Sequence, residues 1–190
     1  MKTVLATAPT FKPVSVLELT EHCRLGDCAR DYDYLRRLRD EAVEEAESFT
    51  WRRLCAQTWD HYVDRFSDPI VLPYPPASSV TSVKYYDNSD VQQTLSTSVY
   101  ELGDRYGVGT VRLQHDQTWP SGFRGHIDDI VIRFVCGWAT AATVPGPIRR
   151  AIEVYVGHCY RNREGGQVPP VFYDLLSPYL SPEKLATIYQ

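Results

Sequence analysis

Histidine and cysteine fall close together twice in this chain, as His22-Cys23 with Cys28 in HCRLGDC and as His158-Cys159 in VGHCYRNRE. Imidazole nitrogen and thiolate sulfur are zinc ligands, and structural sites usually pair them two to four residues apart. Cys23 and Cys28, with four residues between them, fit that spacing loosely. The second pair is adjacent in sequence, which is poor geometry for one tetrahedral ion, so no metal site is expected. Asp128-Asp129 reads as part of a strand, where alternation sends the two carboxylates to opposite faces and prevents a dyad unless a bulge intervenes. There is no G-x-S-x-G elbow and no Gly-rich phosphate loop with Lys. GDRYGVG has three glycines but neither a Lys nor a long following helix, so it reads as a turn between strands. The five histidines lie in unrelated places, which leaves a Ser-His-Asp array assembled by the fold as the open route to hydrolysis. The expectation is a protein without catalytic residues or cofactor.

These residues sit in two kinds of periodicity. Residues 1–12 read as an N-terminal arm. Ser15 with Glu18 three residues on is a capping-box signature, which predicts a short helix at about 15–24. Leu35, Leu38, Ala42, Ala46 and Phe49 recur at three- and four-residue steps, predicting a helix over 30–54 that starts to yield at Thr50 and Trp51. Its other face carries charge, with Arg36–Asp40 and Arg37–Glu41 at i,i+4 and a solvated acidic cluster at Glu41, Glu44, Glu45 and Glu47. From Gln57 the period becomes two. QTWDHYVDRF, IVLPYPP, SVTSVKYYDNSD, VQQTLSTSVYEL, GVGTVRLQHD and HIDDIVIRFVCG predict five or six strands, joined by short turns such as Asp87–Asp90 and therefore antiparallel. Pro147 starts a last helix, with Ile148, Ile152, Tyr155 and Cys159 as its buried stripe and Ala151 beside them. The stripe makes Cys159 a small hydrophobe. After Gly165-Gly166 the chain is Pro-rich, aromatic and apolar. The fold class is α+β: a helical bundle of two N-terminal helices plus one C-terminal helix, with an inserted antiparallel β-rich module. Its boundaries are 13–56 and 144–164 for the helical scaffold, 57–143 for the β-rich insertion and 165–190 for a C-terminal tail.

Composition narrows the function further. At 190 residues the chain suits one domain with an insertion, and about 70% of its unfolded surface is buried on folding, so a core forms without disulfides. Five cysteines, odd in number and with no export signal before Pro9, read as reduced thiols in a cytosolic setting. No stretch approaches the ~20 apolar residues of a membrane span. A net charge of −4 argues against a strong grip on nucleic acid. Of the 20 basic residues, 16 are Arg and only 4 are Lys. With 13 Tyr and 4 Trp, this is the residue usage of protein interfaces, although GC-rich coding would also favour Arg. Arg36, Arg37 and Arg39, Arg149-Arg150 and Arg161 with Arg163 each lie near acids, as ion-paired helix faces or subunit contacts do.

Four pieces in fixed order carry a likeness. They are PVSVLELTEHCRL; the long helix YLRRLRDEAVEEAESFTWRRL running into QTW; LPYPPASSVTSVKYYD; and FVCGW with VPGPIRRAIEVYVGHCYRNRE. Over residues 13–164 the chain resembles the head–tail connector (adaptor) family of long-tailed bacteriophages and phage-like particles. It departs at Cys23, where the family more often has an aliphatic residue, and in its apolar tail. The resemblance implies a helical bundle with a β-rich insertion. It also implies a homo-oligomeric ring, typically of twelve copies, between the portal and the next neck or tail protein (stopper or tail completion). Packaged double-stranded DNA would pass through without sequence-specific binding. The location implied is the virion neck, assembled in the host cytoplasm, with no catalysis and no membrane. Rival readings are another virion component, such as a tail completion protein, or a small hydrolase or metalloprotein. Phe172, Tyr173, Leu175, Leu176, Tyr179 and Leu180 are the expected portal anchors, the alternative being that the segment after Gly166 folds back on its own domain. Asp87, Asn88, Asp90, Arg149, Arg161 and Arg163 are the expected contacts to a neighbouring subunit or neck protein.

Overall fold

The computed structural model describes residues 2–26, 31–105, 107–165, 167–182 and 184. The chain divides into two compact units, a β unit of residues 1–10 and 56–137 and a helical unit of residues 11–55 and 138–190. The fold is α+β.

The helical unit contains α1 (Val16–His22), α2 (Tyr32–Thr50), α3 (Gly146–Arg161) and α4 (Pro170–Leu176). Helix α1 begins in a capping box. The Ser15 hydroxyl accepts from Glu18 N at 3.2 Å and the Glu18 carboxylate accepts from Ser15 N at 2.7 Å, which satisfies two amides that a helix start leaves free. The apolar face of α2 is Leu35, Leu38, Ala42, Val43 and Ala46, all buried. It packs with Ile148, Ala151, Ile152, Tyr155 and Val156 of α3 in one core with Val14, Leu19, Leu54, Phe172 and Leu176. Helix α2 ends at Thr50, earlier than periodicity predicts, because Trp51 turns left-handed at φ 55°. The acidic face of α2 is only partly solvated, contrary to its sequence reading. Glu41 accepts from the Tyr155 hydroxyl at 2.7 Å, Glu45 from the Tyr173 hydroxyl at 3.0 Å, and Glu47 from Arg53 and from Leu54 N.

The β unit has a five-stranded sheet in the order β1-β2-β8-β4-β5 and a three-stranded sheet in the order β3-β7-β6. The strands are β1 (Lys2–Thr7), β2 (Gln57–Val63), β3 (Ile70–Val71), β4 (Ala77–Tyr86), β5 (Gln92–Thr94), β6 (Tyr100–Arg105), β7 (Val108–Leu113) and β8 (Ile130–Cys136). Every pairing is antiparallel. The central strand β8 buries Ile130, Ile132, Phe134 and Cys136 in strict alternation, so its period-two reading holds. The two sheets approach closely at Gly109, where a Cβ would stand 2.4 Å from that of Ala77; no side chain fits there.

Three local readings change. Residues 2–7, read as part of an N-terminal arm, form strand β1 and pair with β2, from Lys2 opposite Tyr62 to Thr7 opposite Thr58. The stretch VQQTLSTSVYEL is not one strand, because a turn at Ser96–Val99 separates β5 from β6. Asp128-Asp129 lies in a turn ahead of β8, with Asp128 at φ 61°.

Candidate interaction surfaces

The C-terminal segment is held inside the helical unit. Proline at its first turn starts α4, and the i,i+4 pair Phe172 and Leu176 then faces inward, fully buried. Phe172 rests on Tyr155 at 5.3 Å between ring centroids and Phe49 on Tyr173 at 4.9 Å. Beyond α4 the chain meets the C-terminal end of α2, whose last carbonyls have no partner within the helix. Arg52 donates to Tyr179 O at 2.6 Å, Ser181 N to Thr50 O at 2.9 Å, and Lys184 Nζ to Ser48 O at 3.1 Å. Of the six expected anchors, Phe172 and Leu176 are therefore core residues. Tyr173, Leu175, Tyr179 and Leu180 are half-buried, and the exposed apolar residue here is Val171. The sequence showed an apolar tail; it could not show that the tail's apolar side chains were already used.

The Asp87–Asp90 turn ends β4 as expected. The Asp87 carboxylate accepts from Ser89 N at 2.8 Å, Val91 N at 3.0 Å and Gln93 Nε2 at 2.8 Å. Those hydrogen bonds, from Val91 first, hold its acid form below the usual carboxylate range. Asn88 is exposed. Asp90, left-handed at φ 62°, reaches Arg124. This arginine is a residue that sequence reasoning passed over. Its guanidinium also pairs with the buried Asp129 at 2.5 Å and lies over the Tyr86 ring at 5.0 Å. Asp129 accepts in addition from His126 N. The Arg124 hydrogen bond lowers its pKa and outweighs burial, which acts the other way. Together these contacts knit the 87–91 turn to the connection before β8. They leave Ile127 83% exposed and Val91 52% exposed, an apolar tip on a charge-clamped frame. The signal available in the sequence was Asp129 directly before the apolar run of β8, a position where an acid needs a partner.

The expected arginine contacts divide. Arg149 is structural: it pairs with Glu18 and donates to Pro13 O at 3.2 Å. Burial would raise the Glu18 pKa, but the Ser15 hydrogen bonds and Arg149 outweigh it and lower it. Arg163 is stacked over Tyr160 and Tyr34, at 4.8 and 4.9 Å, and reaches Asp31 at 3.5 Å. Arg161 is exposed, and among the described residues no carboxylate forms an ion pair with it.

No group of three or more His, Cys, Asp or Glu is placed to hold a metal among the described residues; Cys28 lies outside them. Burial raises the thiol pKa of Cys23, Cys159 and Cys55, the last to about 12, so these three are poor nucleophiles. His61 bonds the Thr3 hydroxyl, His158 the Asn162 amide, and His115 pairs with exposed Asp116. Among the described residues these contacts join no serine or cysteine to a carboxylate through one imidazole. No described helix is long and apolar enough to cross a membrane.

No family model and no curated protein matches the chain. Solved structures do. A chain from the neck of an empty gene transfer agent (GTA) particle, computed with C6 symmetry, superposes with a TM-score of 0.80 at 20% identity. One from the virion of a native GTA particle gives 0.77 at 20%. One from the neck of a native GTA particle, computed with C12 symmetry, gives 0.74 at 18%. Each alignment covers 95% of this chain and 96% of the other. The likeness is one of fold, end to end and across both units.

Proposed function

We propose that this chain is a structural head–tail adaptor of a phage-like particle, a neck protein that forms a ring on the portal and joins capsid to tail. The observation that carries this reading is the end-to-end match, at a TM-score of 0.80, to a chain in the neck of a GTA particle. It agrees with the order of motifs in the sequence, which was read on independent grounds. Symmetry of C6 and C12 in those neck structures favours a ring of twelve copies. Heterologous, head-to-tail contacts that close by rotation make such a ring, and the Arg- and Tyr-rich, Lys-poor surface suits them. Double-stranded DNA passes through the ring, and the net charge of −4 suits a conduit that does not grip its cargo. The protein works in the virion neck after assembly in the host cytoplasm, with the portal on one side and a stopper or tail completion protein on the other. No catalysis is assigned to it.

Within this reading, Val171 with the half-buried Tyr173, Leu175, Tyr179 and Leu180 forms the portal-facing patch. The 87–91 turn with Arg124 and Ile127 meets a neighbouring subunit or the next neck protein. The test is removal of the gene from a particle-producing host, followed by electron microscopy. DNA-filled heads separated from complete tails are expected, with the protein located at the neck when it is restored. Normal tailed particles without it would overturn the proposal, and density at the tail end of the tube would assign it as a tail completion protein instead.

A further inference from the structure

A concave region of about 400 Å³ lies on the helical unit where α1 meets α3, lined by His22, Arg150, Gly157, His158, Arg161 and Asn162 among others. Its charge is unbalanced. Among the described residues Glu153 is the carboxylate there that forms ion pairs, at 3.4 Å from Arg150 and 4.0 Å from His22. Arg161 brings a second guanidinium that is left without a carboxylate among the described residues. His158 also lines the region, with the Asn162 amide 3.4 Å from its Nδ1. Its Nε2 is buried and has no hydrogen-bond partner among the described residues, a state that buried polar atoms rarely keep.

The backbone is arranged to keep His22 in place. Glycine inside a helix is disfavoured relative to alanine, yet Gly157 stands within α3. A Cβ there would lie 3.0 Å from His22 Nε2 and 3.2 Å from its Cδ2. The small residue lets the imidazole lie against the helix. Burial lowers the His22 pKa, and Arg150 and Arg161 lower it further against the opposing pull of Glu153. Two guanidiniums, of Arg150 and Arg161, line the groove and disfavour a metal cation there, so the His22 and His158 pair that the sequence offered as a metal candidate takes a different ligand. Arginine forks match planar carboxylates and phosphates. A duplex presents one charge per about 1.7 Å of axis and is gripped by extended rows of cations. One recessed cluster on a chain of net charge −4 fits a single inserted side chain better.

We infer that this groove is an anion site that receives an aspartate or glutamate side chain from an acidic segment of a partner protein. Arg161 and Arg150 are its charge partners. The inference stands whether or not the chain is a neck protein, since it uses only the geometry of the helical unit.

The test is an NMR titration of the full chain with an acetylated tetraglutamate peptide, in parallel with inorganic phosphate and a 12-base-pair duplex. Saturable shifts confined to His22, His158, Arg150 and Arg161 are expected from the peptide, with affinity falling at least fivefold in Arg161→Ala. Arg161 is exposed, so that variant keeps its fold, and Arg36→Ala on α2 should bind as wild type does. The proposal fails if the peptide gives no saturable shift, if Arg161→Ala binds equally well, or if the duplex binds more tightly than the peptide.

Discussion

Each unit holds down an irregular segment, and the two use opposite means. In the helical unit residues 167–182 are fixed by apolar burial: Phe172 and Leu176 are inaccessible to solvent, and backbone hydrogen bonds to the end of α2 complete the attachment. In the β unit the connection before β8 has no fully buried apolar side chain over 117–128. Trp119 and Phe123 pack on Phe66 at 4.9 and 5.5 Å, and Arg124 clamps the rest through Asp90 and buried Asp129. Apolar burial is indifferent to pH and needs no matched partner. A buried carboxylate is favourable only while its counter-charge and hydrogen bonds stay in place. The first attachment is robust, and the second is conditional.

The largest expected effect is on the apolar side. Phe172→Ala should destabilise the helical unit by about 3–5 kcal/mol, read by denaturant titration and by faster amide exchange over 32–50 and 146–161. A loss below about 1 kcal/mol would mean that the C-terminal segment is not anchored as described, and would return Phe172 to the set of free contacts.

Next comes the clamp. Asp129→Asn removes charge from the Arg124 pairing and should lower stability by about 2 kcal/mol, with faster exchange over 87–91 and 122–129. Its pH dependence sharpens the contrast. The Asp129 pKa is depressed in the folded protein, so its contribution is fully present above the ordinary value of 3.8 and is lost as pH falls through the depressed one. The gap between wild type and Asp129→Asn should therefore close in acid, whereas the gap for Phe172→Ala should persist. Equal acid sensitivity of both gaps would erase the distinction.

The smallest effect belongs to local capping. Ser15→Ala should reduce stability by about 1 kcal/mol, seen in a thermal melt, because it removes one acceptor from the start of α1. No change would show that Arg149 alone positions Glu18.

Helix positions and the central strand were legible because burial leaves a period in the sequence. Leu35, Leu38, Ala42 and Ala46 mark one face of α2, and Ile130, Ile132, Phe134 and Cys136 mark one face of β8. The Ser15–Glu18 box was legible because its chemistry is local. Strand β1 was not, since an exposed edge strand has weak alternation and is defined by its partner. The contacts of the interaction surfaces were the least legible. Arg124, Arg149, Arg161 and Arg163 look alike as letters, yet one clamps a turn, one braces α1, one has no carboxylate partner among the described residues and one is stacked on two tyrosines.

By itself, then, the sequence determined the α+β class, the insertion of strands between helices, and the absence of any local catalytic motif, because these follow from periodicity and short-range chemistry. Tertiary structure alone decided which apolar residues of the C-terminal segment were already spent in the core. It also decided that Asp90 finds Arg124, and that His22 and His158 line one groove with two arginines. Those outcomes depend on pairs separated by up to about 130 residues, and a linear pattern carries no record of which distant side chains will share a desolvated space.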